Sequence, residues 1–337
     1  MIRLLLVLVL TSFAPLTLAN AQSRDVYTVA NIAVDESAPT IIEARQKAFD
    51  AAKLAGAYRM IARITLPEDL AGTSGLVLDQ AAADLLAGAV DVEQEIAGAG
   101  RYRGSLAVVF NPPNVRALLR RNNIPFTDQQ APKALLVPLG GDAFSGDWGL
   151  AWEDASIGRL APTVTTRSFG YDSDSAWADL QGDVALYGAE RAVLAQLLGR
   201  AGVYRVEVSA VTPSGVQSLG TTPRVDTLEQ AVVATGELLD LVWKRNSVIR
   251  GETTRTRIEA TVLYTSLAEW NTLRGALARS PLVSNFQTKA VAADGAVVAF
   301  VFAGDGQRLA SDLRDRGVVI RMETIGWVMM SAITVGQ

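Results

Sequence analysis

The chain has no cysteine and no histidine among its 337 residues. Without cysteine there is no disulfide, no acyl-cysteine lipid anchor, and no thiolate ligand for structural zinc, haem or an iron–sulfur cluster. Without histidine the commonest general base at neutral pH is missing, and with it the Ser-His-Asp and Cys-His nucleophile systems. Catalysis would have to use paired carboxylates, lysine, tyrosine, or oxygen-ligated Mg²⁺ or Ca²⁺. A basic surplus is lacking too. The 31 Lys plus Arg stand against 35 Asp plus Glu, a formal charge of −4, which argues against nucleic acid as a partner. Charged residues make up 20% and hydrophobic ones 49%, a composition that builds a core rather than a disordered chain. The length predicts two or three domains.

Long hydrophobic runs are scarce. The first one, Leu4 to Leu10, follows Arg3 and is followed by Pro15 and Ala19-Asn20-Ala21. A basic start, an apolar centre and an A-x-A site read as a secretory signal peptide over residues 1–21, cleaved after Ala21. The run is too short to span a bilayer, which takes about 20 residues. The expected location is the periplasm, with no transmembrane anchor after cleavage. Ile325 to Val335 is apolar but short enough for a strand, and it reads either as core or as a docking strand.

Residues 22–125 predict an N-terminal α+β domain. Val26 to Val34 alternates as a strand. Thr40 and Glu43 form a capping box before a helix to about Ile64, in which Ala44, Ala48, Ala51, Ala55, Tyr58 and Ala62 make a stripe for close packing. A short helix spans Asp79 to Ala87. Val90 to Ile96 and Arg101 to Phe110 flank a hairpin turn at Gly98-Ala99-Gly100. Asn114 is expected to cap a last helix through Arg121. Arg116, Arg120 and Arg121, with Arg101 and Arg103, read as either an anion-binding cluster or a solvated face.

Residues 130–250 predict a middle α/β domain. Ala134 to Leu139 suits a buried parallel strand, and the loop after it is where α/β proteins bind ligands. That loop carries Asp142, Asp147, Trp148 and Trp152, the candidate ligand-binding residues. The two tryptophans also suit a core or interdomain contact. Thr163 to Phe169 reads as a strand, Ser173 or Asp174 as the cap of a helix through Trp177, and Glu190 to Arg200 as a helix stopped by Gly202. Val203 to Val211 and Val216 to Gly220 are expected strands, and a helix runs from Asp226 or Thr227 to Lys244. Asp172-Ser173-Asp174 resembles the start of a calcium loop but lacks the rest of it, so no metal, cofactor or catalytic residue is assigned.

Residues 254–337 predict a C-terminal domain ordered β-α-β-β-α-β, the split β-α-β of ferredoxin-like domains, with Gly326 to Thr334 as a further edge strand.

The run Val26-Tyr27-Thr28-Val29, the helix Glu43-Ala44-Arg45-Gln46-Lys47-Ala48, the strand Pro132 to Leu139, Trp243-Lys244-Arg245 and Leu267-Ala268-Glu269-Trp270 resemble domain-of-unknown-function family 2066, bacterial secreted proteins without assigned activity. The arrangement is more loosely similar to the flagellar H-ring protein FlgT, and the middle domain to the amino-terminal domain of the translocation protein TolB. The resemblance implies a non-enzymatic envelope interaction or assembly module whose partners are an envelope protein or a second copy. Two alternatives stand beside it. One is a periplasmic small-ligand binding protein using Gly140 to Trp152. The other is a glycan enzyme drawing two carboxylates from Asp142, Asp147, Glu153, Asp172 and Asp174.

Overall fold

The computed structural model describes residues 26–72, 76–140, 145–152, 159–168, 170–250, 254–324 and 326–332. The signal peptide reading, Asp142 and Glu153 lie outside these residues. The described part is a mixed α/β protein with one three-stranded and two five-stranded sheets. No described helix is long and apolar enough to cross a membrane.

The first sheet has the order β1-β3-β2, from β1 (Thr28–Ser37), β2 (Ala87–Gly98) and β3 (Arg101–Phe110), all antiparallel. The hairpin turn falls where expected. Ala99 and Gly100 both take positive φ, 46° and 72°, the backbone that matches the twist of a two-residue hairpin. Helix α1 (Ile41–Ile64) begins at the expected capping box: Thr40 Oγ1 accepts from the Glu43 N–H, and the Glu43 carboxylate accepts from the Thr40 N–H, both at 3.2 Å. The expected small-residue stripe drifts. Ala44 and Ala48 are buried, but the line continues through Ala52, Gly56, Met60 and Ile64, while Ala55, Tyr58 and Ala62 are exposed. A spacing of four winds slowly around a helix of 3.6 residues per turn, so the buried line of this 24-residue helix follows the sheet's twist and leaves a face that runs straight along the axis. Gly56 sits at the closest approach, where a Cβ would lie 3.0 Å from both Ile32 Cδ1 and Phe110 Cζ.

Helices α2 (Pro67–Ala71), α3 (Gln80–Leu86) and α4 (Pro112–Arg121) complete this unit. Asn111, not Asn114, caps α4: its side chain accepts from the Asn114 N–H, and Pro112 takes the first helical turn, where a missing N–H costs nothing.

The second sheet has the order β5-β4-β6-β7-β8. Strand β4 (Ala134–Leu139) pairs in parallel with β5 (Thr163–Thr165) and β6 (Arg191–Arg200), and β7 (Val203–Thr212) and β8 (Gly215–Thr221) extend the sheet antiparallel. Strand β6 corrects the expected Glu190–Arg200 helix. Its Ala, Leu and Gln residues favour a helix, but tertiary burial overrides that preference. Ala192 and Leu194 face one core and Val193, Ala195 and Leu197 face the other. The Gly202 taken for a helix stop is half of an Ala201-Gly202 hairpin turn, since Arg200 pairs with Val203. Helix α5 (Ser145–Leu150) and the long α7 (Leu228–Ser247, capped by Thr227) cover one face, and α6 (Trp177–Leu186) covers the other. The cap of α6 is Ala176, whose N–H donates to Asp179 at 2.8 Å, rather than Ser173 or Asp174.

The third sheet has the order β10-β11-β9-β13-β12. It comprises β9 (Arg255–Leu263), β10 (Val283–Val291), β11 (Gly295–Ala303), β12 (Val318–Glu323) and β13 (Gly326–Ser331), with α8 (Leu267–Arg279) and α9 (Gly306–Asp315) packed on it. Strand β13 is not an edge. It inserts between β9 and β12, parallel to the first and antiparallel to the second. Val328 and Met329 are buried, so this segment is core and has no free edge for docking. The buried cluster of the first unit runs without a break into one face of the middle sheet, while the third sheet has its own core.

Candidate functional site

Of the sequence-chosen loop residues, Asp142 lies outside the described residues, and Asp147, Trp148 and Trp152 are placed as follows. Asp147 is exposed in the first turn of α5. Trp148 and Trp152 are buried, 0% and 4% exposed, with ring centroids 5.6 Å apart in an edge-to-face pair. The Trp148 indole N–H donates to Ala195 O on β6 at 3.1 Å. These indoles close the core over the middle sheet instead of offering a stacking platform. Asp172 accepts from the Asp174 N–H and the Ser175 hydroxyl in a local turn. Among the described residues no three acidic side chains gather as a metal site.

The arginine cluster also separates. Arg101 and Arg103 both bind Asp35 at one end of β3, and together they hold its carboxyl down to about 2. Arg116 lies beyond the other end and binds Asp128 at 2.6 Å. The Tyr27 hydroxyl shares that Asp128 oxygen, and burial with this bond raises its pKa.

What the fold does bring together is a junction around the C-terminal end of α7. The segment 126–132, which leads into β4, is fixed along its length. Thr127 N–H donates to Ile64 O, Asp128 is held as above, and Ala131 N–H donates to Leu160 O. The Trp243 indole N–H donates to Gln129 O at 2.7 Å. Next to it, Lys244 is 7% exposed and extends its ammonium to Ala62 O at 2.9 Å and Thr65 O at 2.8 Å. These carbonyls end α1, where orphan acceptors and the negative helix pole favour a cation. Burial lowers the Lys244 pKa, and the nearby Asp240 opposes that shift. Burial raises Asp240 in turn, against the Ala161 N–H and the cations Arg159, Lys244 and Arg63.

The same device recurs at the end of α7. Arg308 of α9 donates to Asn246 O and Val248 O at the end of α7, each at 2.8 Å through Nη2. Arg316 lies 5.6 Å over the Trp243 ring and pairs with Asp312 at 3.3 Å, both side chains almost fully buried. Arg279 and Glu190 add a pair at 3.0 Å across the same boundary. Each of the two longest described helices is therefore capped by a cation from a later part of the chain, and Trp243-Lys244 touches all three units. Sequence reading identified this run only as part of a resemblance. The spacing of Asp240 four residues before Lys244, an acid-before-base helical pair, was the available signal.

A cavity of ≈ 40 Å³ lies between the start of β6, the end of α7 and α9. A wide, open groove lies on the outer face of the first sheet, bounded by Ala33, Asp35, Gln94, Ile96, Arg103 and Ser105. No protein-family model matches the sequence, and no curated protein matches it significantly.

Proposed function

We propose that the protein is a non-enzymatic interaction or assembly module of the bacterial cell envelope. It works in the periplasm after loss of its signal peptide and belongs with domain-of-unknown-function family 2066. In this reading the middle domain is like the TolB amino-terminal domain, and the C-terminal domain is a ferredoxin-like unit with β13 inserted. One observation carries the proposal: the buried Lys244 and the half-buried Arg308 tie the three units together while strand β2 stays exposed along nearly its whole length. Ile96 is 74% exposed there. A long free edge on a stiffened body supports recognition by strand addition. The β2 edge carries Asp91, Glu93 and Glu95. Pairing two such strands would oppose like charges, which favours a different envelope protein over a second copy.

The test is in-cell photocrosslinking from Gln94 or Ile96, with Val233 on α7 as the control position, followed by mass spectrometry. Recurrent capture of one envelope protein from β2 and not from α7 is expected. Reproducible absence of capture, with the protein abundant, overturns the proposal.

A further inference from the structure

The cavity between the middle and C-terminal units contains an electrostatic anomaly. Arg191, the first residue of β6, lines it and is 9% exposed. Its Nε is fully buried and finds no hydrogen-bond partner among the described residues. A buried guanidinium nitrogen without an acceptor is disfavoured, and such a group calls for an explanation.

The neighbouring charges are engaged elsewhere. Asp312 is paired with Arg316, and Arg316 lies on Trp243. Arg308 caps α7. Asp315 is the one remaining acidic group on the lining. It makes no ion pair with Arg191 within 4.0 Å, and burial raises its pKa even with Arg191 nearby. The lining thus carries Arg191, Arg308 and Arg316 against Asp312 and Asp315, a surplus of positive charge. The volume exceeds the 10–15 Å³ or so that one water needs, and it suits an ion little larger.

We propose that this cavity is a binding site for a small monovalent anion, of chloride or formate size, held by Arg191 between the middle and C-terminal domains. The anion supplies the missing acceptor and so strengthens the junction. A guanidinium offers parallel donors to a carboxylate and a point charge to a halide, so the two probes separate these chemistries.

The experiment measures thermal unfolding of the full chain while chloride or formate replaces gluconate, which is too bulky for the cavity, at constant ionic strength. The midpoint is expected to rise with the logarithm of the small-anion concentration once the site begins to fill. The rise should persist or grow in Asp315→Asn, which removes the competing carboxylate, and vanish in Arg191→Met. A flat midpoint in the wild-type chain overturns the proposal. So does an Asp315→Asn chain that is destabilised and insensitive to anions, since that outcome means a direct Arg191–Asp315 pair. Should Arg191→Met fail to fold, ³⁵Cl line broadening by the wild-type chain decides the question: formate-displaceable broadening supports the site, and its absence sinks it.

Discussion

The Lys244 ammonium lies 2.8 Å from the carbonyl oxygen of Thr65, a residue 179 positions earlier in the chain. That bond places a cation of the middle unit at the negative pole of the N-terminal unit's main helix. Arg308 repeats the relation toward Asn246 and Val248. The three units are joined through helix ends, where backbone acceptors are free by geometry.

Lys244→Met keeps the stem and removes the donors. It leaves the Ala62 and Thr65 carbonyls without their charged partner, and a loss of about 2–3 kcal/mol is expected from a charge-assisted, largely buried contact. Urea unfolding of the two chains measures it.

Arg308→Ala should act on coupling more than on total stability. Its cost is about 1–2 kcal/mol at a half-exposed helix end. The C-terminal unit has its own core. Calorimetry should therefore resolve a separate, earlier C-terminal transition in the variant where the wild type unfolds more cooperatively.

Leu194→Ala tests the strand assignment of β6. Leu194 is 3% exposed and faces Leu180 and Val184 of α6, so about 2–5 kcal/mol should be lost by chemical unfolding. Leu186→Ala, at a residue 77% exposed, should stay within about 0.5 kcal/mol of wild type.

Gly56→Ala sets two effects against each other. Helix propensity gains about 1 kcal/mol. The new Cβ would press on Ile32 and Phe110, both 1% exposed, and overpacking costs about 1–3 kcal/mol. The expected net result is a lower unfolding midpoint. A higher one would show that the helix can lift from the sheet.

Asp35 gives the pH prediction. Hydrogen bonds from Arg101, and then from Arg103, hold its carboxyl at about 2 against the ordinary 3.8. A depressed acid stabilises the fold above its unfolded value, and that contribution is lost as pH falls from 3.8 through about 2. Carbonyl-carbon NMR should show Asp35 titrating near the lower value, and Arg101→Gln should move it upward.

Much of the fold was legible because it is written in local chemistry. The Thr40–Glu43 capping box, the Gly98-Ala99-Gly100 turn and the alternation of Val203 to Thr212 each depend on a few consecutive side chains. The lack of cysteine and histidine likewise removes whole classes of chemistry whatever the fold. Tertiary structure decided the rest. Residues 191–200 are a strand because two sheet faces and two neighbouring strands claim them, an environment that no window of sequence contains. Strand β13 lies inside its sheet because β9 offers a partner some 70 residues earlier. Trp148 and Trp152 suited either a ligand platform or the core, and the packing of the middle sheet made them core. Lys244, Arg308 and Arg191 matter through carbonyls and a cavity supplied by distant segments. Local propensity reaches a few residues along the chain, whereas burial and charge compensation are set by whatever the folded chain brings alongside.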